Sequence, residues 1–232
     1  YTLWHTLSLH DALPIYYLLT HHPEPTASLF FGLIMASIWV VGRKVGRWGP
    51  AAAVAFLVAA VGAFYLVGLV PAKTPETTGF IFLSGMIAIC AMILPGLSGA
   101  FILLILGKYE FIAATLKNPF DPVSAGVIVV FAAGCAVGLA GFSRILKYLL
   151  DRFHAPTLAF LTGLMVGSLR KVWPWKEAME ARMIGGELQV IREYNVLPDG
   201  LHADVFLALG LMAAGIVFVI GLEKISDSPV ES

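Results

Sequence analysis

The residues of this chain best suited to chemistry lie in the run Leu94-Pro95-Gly96-Leu97-Ser98-Gly99. Proline removes an amide donor and clashes with the preceding turn, while glycine accepts backbone conformations that other residues resist. A helix arriving at Leu94 must therefore stop, and another can begin at Ser98. The start of a second half-helix carries amides that its own ladder does not use, an aligned peptide dipole and, here, the Ser98 hydroxyl. That combination suits an anion, and phosphate is the natural ligand for such a nest. The same run also fits a proline kink that only packs helices. The number of breaker and small polar residues favours a site, with Pro95, Gly96, Ser98 and Gly99 as its candidate binding residues.

A second candidate group follows a short apolar segment. Arg170 and Lys171 could pair with the same anion, or could simply snorkel to headgroups from a helix end. Trp173 and Trp175 read as interfacial anchors rather than ligand platforms. Glu110 could take a proton or cation during coupled transport, or be a solvated loop carboxylate. His21, His22, His154 and His202 have no acidic partner at metal-binding spacing, so no metal site is expected. The sequence carries no Walker loop, dinucleotide fingerprint or hydrolase elbow, so neither a cofactor nor a catalytic residue is assigned.

These residues need a membrane to make sense. Hydrophobic residues are 59% of the 232, only 13% are charged, and the net charge is zero. A soluble protein of this size could not wet its perimeter with so few charges, and a neutral chain offers no general surface for nucleic acid. The charges cluster in short stretches between long uncharged tracts. Cys90 and Cys135 both lie inside such tracts, which argues against a disulfide framework. The fold expected is all-α: a polytopic membrane helical bundle with a re-entrant helical hairpin and broken half-helices.

The tracts predict the elements. Residues 27–42 and 49–72 read as spans, joined by a loop carrying Arg43, Lys44 and Arg47, which the bias of basic residues puts inside. Residues 77–107 hold no charge over thirty-one positions. As one helix they would run about 46 Å, too long for a hydrocarbon core of about 30 Å and too short for two crossings. Two half-helices meeting at the Pro95-Gly96 break solve this, provided protein or a wet cavity shields the tip. A span over 122–141 follows, with Arg144, Lys147 and Arg152 in an inner loop, so both ends of the 77–107 tract lie outside, as a hairpin requires. Residues 156–169 read as another half-helix or broken span, and residues 205–222 as a last span. The polar stretch 176–199 belongs in water or at the interface, and residues 226–232 form a flexible tail. Two short, broken apolar segments in one membrane domain point to a transport site near the midplane. Gly134 with Gly138, and Gly163 with Gly167, have the spacing that lets helices pack closely.

Residues 1–15 (YTLWHTLSLHDALPI) show neither helical nor strand period and look like a translated adapter fused to a shortened reading frame. The transport domain is expected over 16–225, as the C-terminal part of a longer protein.

Residues 85–99 (GMIAICAMILPGLSG) resemble the signature of a bacterial membrane family, the domain-of-unknown-function family numbered 368, associated with polyprenyl-phosphate translocases. Residues 101–109 (FILLILGKY) continue the pattern, and 160–170 (FLTGLMVGSLR) with Trp173-Pro174 match its distal part. The resemblance covers about residues 16–225. The chain departs from the family in lacking an earlier, related hairpin and in having Ala100 where many members carry a small polar residue.

The resemblance implies a substrate and a place. Members move undecaprenyl phosphate, or a related polyprenyl phosphate, between leaflets of the bacterial cytoplasmic membrane and so recycle the carrier lipid of envelope polymers, peptidoglycan among them. By resemblance Pro95, Gly96, Ser98 and Gly99 form the hairpin tip and Arg170 a basic partner. Alternating access without bond chemistry would suffice. Read from the residues alone, an ion-coupled transporter of small anions remains the alternative, since the same hairpin could hold a free phosphate or carboxylate.

Overall fold

Proline opens three of the long apolar helices, where its missing N–H costs nothing and its fixed φ suits the first turn. These are α1 (Pro23–Lys44), α2 (Pro50–Val67) and α6 (Pro122–Arg152). Between them lie α3 (Thr78–Ile93), α4 (Gly99–Ile105) and α5 (Tyr109–Lys117). After α6 come α7 (His154–Ser168), a 3-10 turn (Leu169–Val172), strands β1 (Lys176–Ile184) and β2 (Glu187–Asn195), and α8 (Ala203–Ser226). The computed structural model describes residues 21–69, 74–184, 187–198, 200 and 202–226. The adapter-like stretch 1–15 and all but the first residue of the expected tail lie outside these.

Among the described residues four helices are long and apolar enough to cross a membrane: Pro23–Lys44, Pro50–Val67, Pro122–Arg152 and Ala203–Ile225. Large apolar side chains project outward from them, including Val54, Leu57, Val58 and Val61 on α2 and Val217, Phe218 and Leu222 on α8. Water would tax that surface and lipid would not. The expected all-α membrane bundle is what the chain forms.

Arg43 and Lys44 form the last turn of α1 rather than part of the loop after it, and two further elements differ from the sequence expectation. Helix α6 does not end near Gly141 but runs 31 residues to Arg152, so Arg144, Lys147 and Arg152 lie on helix rather than in a loop. Leu, Lys and Arg are strong helix formers and nothing in 142–152 breaks the ladder. At about 46 Å the helix outruns a hydrocarbon core of about 30 Å, which leaves its basic end in a polar zone. The N-terminus of α6 is capped by Asp121, whose carboxylate accepts the Ser124 amide at 3.1 Å. Asp121→Ala is expected to cost about 0.5–2 kcal/mol, seen as a lower thermal midpoint in detergent with the helix content otherwise kept.

The second difference is the polar stretch, which folds as an antiparallel hairpin of β1 and β2, with Ala181 opposite Val190 and Met183 opposite Leu188. Tyr194 donates to the Glu177 carboxylate across its base, and that carboxylate holds the phenol above its ordinary pKa. Trp173 lies beside this hairpin. Its indole N–H donates to the Val196 carbonyl at 2.8 Å, and its ring meets Phe31 and Trp175 edge to face.

The chain divides into two compact units, Val41–Ser168 and the pair Tyr1–Val40 with Leu169–Ser232. In the first, α2 packs along α7 and α3 along α6. Both contacts run over the expected glycine pairs. A Cβ on Gly163 or Gly167 would sit 2.3 Å from the carbonyls of Phe56 and Ala60 respectively. One on Gly134 or Gly138 would meet the carbonyls of Phe82 and Met86 at 2.1 and 2.7 Å. The two cysteines stitch the α3–α6 contact, Cys135 donating to the Gly85 carbonyl at 3.4 Å and Cys90 to that of Gly138 at 3.8 Å. In the second unit α1 meets α8 in the same way, where Gly32 lies against the Met212 carbonyl.

Candidate functional site at the hairpin tip

The break between α3 and α4 is a tight reversal. Leu94, pushed to extended backbone by the following proline (φ −75°, ψ 125°), still donates its amide to Cys90. The Leu97 amide then returns to the Leu94 carbonyl at 3.4 Å, and Gly96 between them has φ +87°. Proline second and a left-handed glycine third is the pattern of a type II turn. Ser98 resumes extended backbone as the N-cap of α4, and Ile102 donates to its carbonyl at 3.0 Å.

The reversal brings the second arm back along the first. Gly99 is buried, and a Cβ there would lie 2.6 Å from Met92 and 2.7 Å from the Ala88 carbonyl, eleven residues earlier. At the open end, Thr74 hydrogen-bonds through its hydroxyl to the Leu106 carbonyl. The start and finish of the 77–107 tract therefore stand side by side, which is the geometry of a hairpin rather than a crossing. Beyond it α5 turns by 113° from α4.

The tip is docked on α7. A Cβ on Gly96 would be 2.6 Å from the Ser168 Oγ and 3.0 Å from the Met165 Cα, and Ser168 is itself buried with its hydroxyl on the Met165 carbonyl. Leu94 packs on the buried cluster Ala59, Ala63, Leu161 and Leu164 formed by α2 and α7. Two stretches far apart in sequence, 94–99 and 161–168, thus form one packed unit.

Of the expected site residues, Pro95, Gly96, Ser98 and Gly99 come together at this tip. Ser98 is exposed and makes no side-chain capping bond. Helix α4 is only seven residues long, so its summed dipole is small, and what the tip offers an anion is chiefly the Ser98 hydroxyl and the amides around it. Arg170 and Lys171 stand in the 3-10 turn that follows Ser168, which the division of the chain assigns to the other unit. That turn is tied to the strands: Asn195 donates to the Arg170 carbonyl at 3.0 Å and Lys176 to the Lys171 carbonyl at 2.8 Å. Glu110 lies exposed in the first turn of α5.

The tip and its docking partner on α7 both lie within a stretch that matches a known family. A family model described as undecaprenyl phosphate translocase-like matches residues 6–189. The chain belongs to that family. Among its relatives is a polyprenyl-phosphate transporter of Vibrio cholerae, 39% identical over 220 residues, which are 92% of this chain and 70% of the relative. A polyprenyl-phosphate transporter of Staphylococcus aureus is 31% identical over 174 residues, 68% of this chain and 61% of its own length. No solved structure matches the chain.

One residue of this translocase-like chain that matters to the hairpin is missing from the sequence reading. Lys108, the first charge after the uncharged tract, is 1% exposed. Its position at the tract's end was visible, but nothing in the local pattern tells a buried lysine from a snorkelling one.

Proposed function

We propose that this protein carries undecaprenyl phosphate or a related polyprenyl phosphate between the leaflets of the bacterial cytoplasmic membrane, as a multi-pass transporter that breaks no bond. The observation that carries the reading is the hairpin tip, Pro95 to Gly99, seated on the end of α7 in a chain of this family. The names of both relatives, polyprenyl-phosphate transporter, point to the same substrate class.

The physical requirement is plain. A phosphate cannot enter hydrocarbon bare, because burying an unpaired charge is prohibitive, whereas an isoprenoid chain is at home there. In this reading the tip replaces the headgroup's water, with Ser98 donating its hydroxyl and Pro95, Gly96 and Gly99 shaping the turn that presents it. Arg170 and Lys171, two and three residues beyond Ser168, supply positive charge to the phosphate. Glu110 is the carboxylate assigned to ion coupling. Alternating exposure of the tip to either leaflet then returns the carrier lipid to the inner face for reuse, with the tail remaining in lipid throughout.

Binding tests the site. Purified protein in nanodiscs should bind a long-chain polyprenyl phosphate, and Ser98→Ala and Arg170→Ala should each weaken it about tenfold, the share expected of one hydrogen bond to a charged group. Inorganic phosphate should compete poorly. Unchanged binding in both variants would remove these residues from the site, and equal competition by inorganic phosphate would favour a small-anion transporter.

A further inference from the structure

The buried Lys108 has a job that the headgroup reading does not use. Its ammonium donates to the Thr74 carbonyl at 2.8 Å and faces the rings of Phe80 and Phe111 at 5.8 and 5.7 Å from their centroids. An ammonium has three donors and no acceptor, and here one finds a carbonyl while two aromatic faces flank the charge. Among the described residues no carboxylate pairs with it. An ionisable residue held at the edge of an apolar tract without a counter-ion is costly, and such residues are retained for a function.

The position of its partners defines that function. Thr74 precedes α3, Phe80 is in the first turn of α3, and Phe111 is in the first turn of α5. Lys108 itself follows α4, with its amide on the Leu103 carbonyl at 2.8 Å. Thr74 is held twice, through its own hydroxyl on Leu106 and through its carbonyl on Lys108. These bonds join the two ends of the hairpin at the side opposite the tip.

We propose that Lys108 is a positioning residue, a charged clasp that closes the open end of the hairpin against Thr74, Phe80 and Phe111 and thereby fixes how far the Pro95–Gly99 tip reaches. The clasp depends on charge rather than length. A carbonyl dipole and two ring quadrupoles attract a cation and give a neutral chain of the same reach nothing in return. Arginine, which also donates to carbonyls and stacks on rings, can serve in part. The inference deepens the transport reading and rests on it only for the flux measurement; the geometry of the tip is tested apart from any substrate.

The experiment uses the full chain with Cys90→Ala and Cys135→Ala, and Ala100→Cys as a reporter beside the tip. Two quantities are read in proteoliposomes: the rate at which a soluble maleimide labels the reporter, and the movement of undecaprenyl phosphate between leaflets. Lys108→Met should change the labelling rate at least about threefold and slow lipid movement at least about tenfold, and Lys108→Arg should recover most of both. Should Lys108→Met fail to fold, Phe111→Leu, which keeps the charge and the Thr74 bond, should move both readouts the same way by a smaller factor. Labelling and movement both unchanged in folded Lys108→Met, or labelling unchanged in Phe111→Leu when that variant must decide, overturns the clasp. A background protein that moves no polyprenyl phosphate but whose labelling responds to Lys108→Met and recovers in Lys108→Arg upholds the clasp and overturns the transport reading instead.

Discussion

Gly96→Ala is expected to detach the hairpin tip from α7 and to abolish most lipid movement. Two costs fall on one methyl group. Gly96 has φ +87°, where an L-residue pays about 1–2 kcal/mol. The new Cβ would also lie 2.6 Å from the Ser168 hydroxyl oxygen and 3.0 Å from the backbone of Met165. Ser168 is pinned by its bond to the Met165 carbonyl and buried, so it has little room to give, and overpacking of this kind costs about 1–3 kcal/mol. Gly79→Ala is the control, since it lies on the same hairpin with nothing within 4 Å of an added Cβ. Thermal unfolding in detergent should show Gly96→Ala well below the native protein and Gly79→Ala close to it. Equal midpoints for the two would mean that the tip is not docked as described.

Gly167→Leu is expected to do comparable damage at the α2–α7 contact. An added Cβ would meet the Ala60 carbonyl at 2.3 Å, the Ala63 methyl at 2.7 Å and the Phe64 amide nitrogen at 2.9 Å. Two of these atoms are backbone, so the helices must separate. Between membrane helices, close packing replaces the hydrophobic drive that lipid removes, so separation forfeits what holds the pair. The cluster of Ala59, Ala63, Leu161 and Leu164 opens with it, and Leu94 of the tip loses its seat. Gly62→Ala on the same α2 meets nothing within 4 Å and should be neutral or stabilising by about 0.5–1 kcal/mol, the ordinary helix preference for alanine. The check is expression and monodispersity in detergent, with Gly167→Leu aggregated or absent and Gly62→Ala native-like. A monodisperse Gly167→Leu of native stability would contradict the packing.

Much of this arrangement was legible because its causes are local. A thirty-one-residue tract without charge and with a Pro-Gly at its centre has few ways to fit a bilayer, and Pro95-Gly96 encodes its own turn. The glycine pairs on α6 and α7 were legible for a similar reason, since spacing alone places them on one face. The β-hairpin was not. The irregular register between Ala178 and Ala181 interrupts the two-residue alternation that marks a strand, and dense charge in 176–193 reads simply as a polar connection. The end of α6 is not legible from charge, because Arg and Lys mark loops at a membrane surface and yet extend a helix readily. Lys108 shows the deeper limit. Its burial depends on Thr74 and Phe80, 34 and 28 positions earlier in the chain, meeting Phe111 three positions on. No window of sequence holds that convergence.

In the proposed function a polyprenyl phosphate changes leaflet through this protein. The most direct measurement reconstitutes the chain in sealed liposomes, loads undecaprenyl phosphate in one leaflet and follows its appearance in the other, with protein-free vesicles and Gly96→Ala alongside. Transport of this kind should give movement that scales with native protein, resists an excess of inorganic phosphate and falls to the protein-free rate in Gly96→Ala. Movement no faster than in empty vesicles, from protein shown to be folded and with ion gradients of either sign imposed, would contradict it.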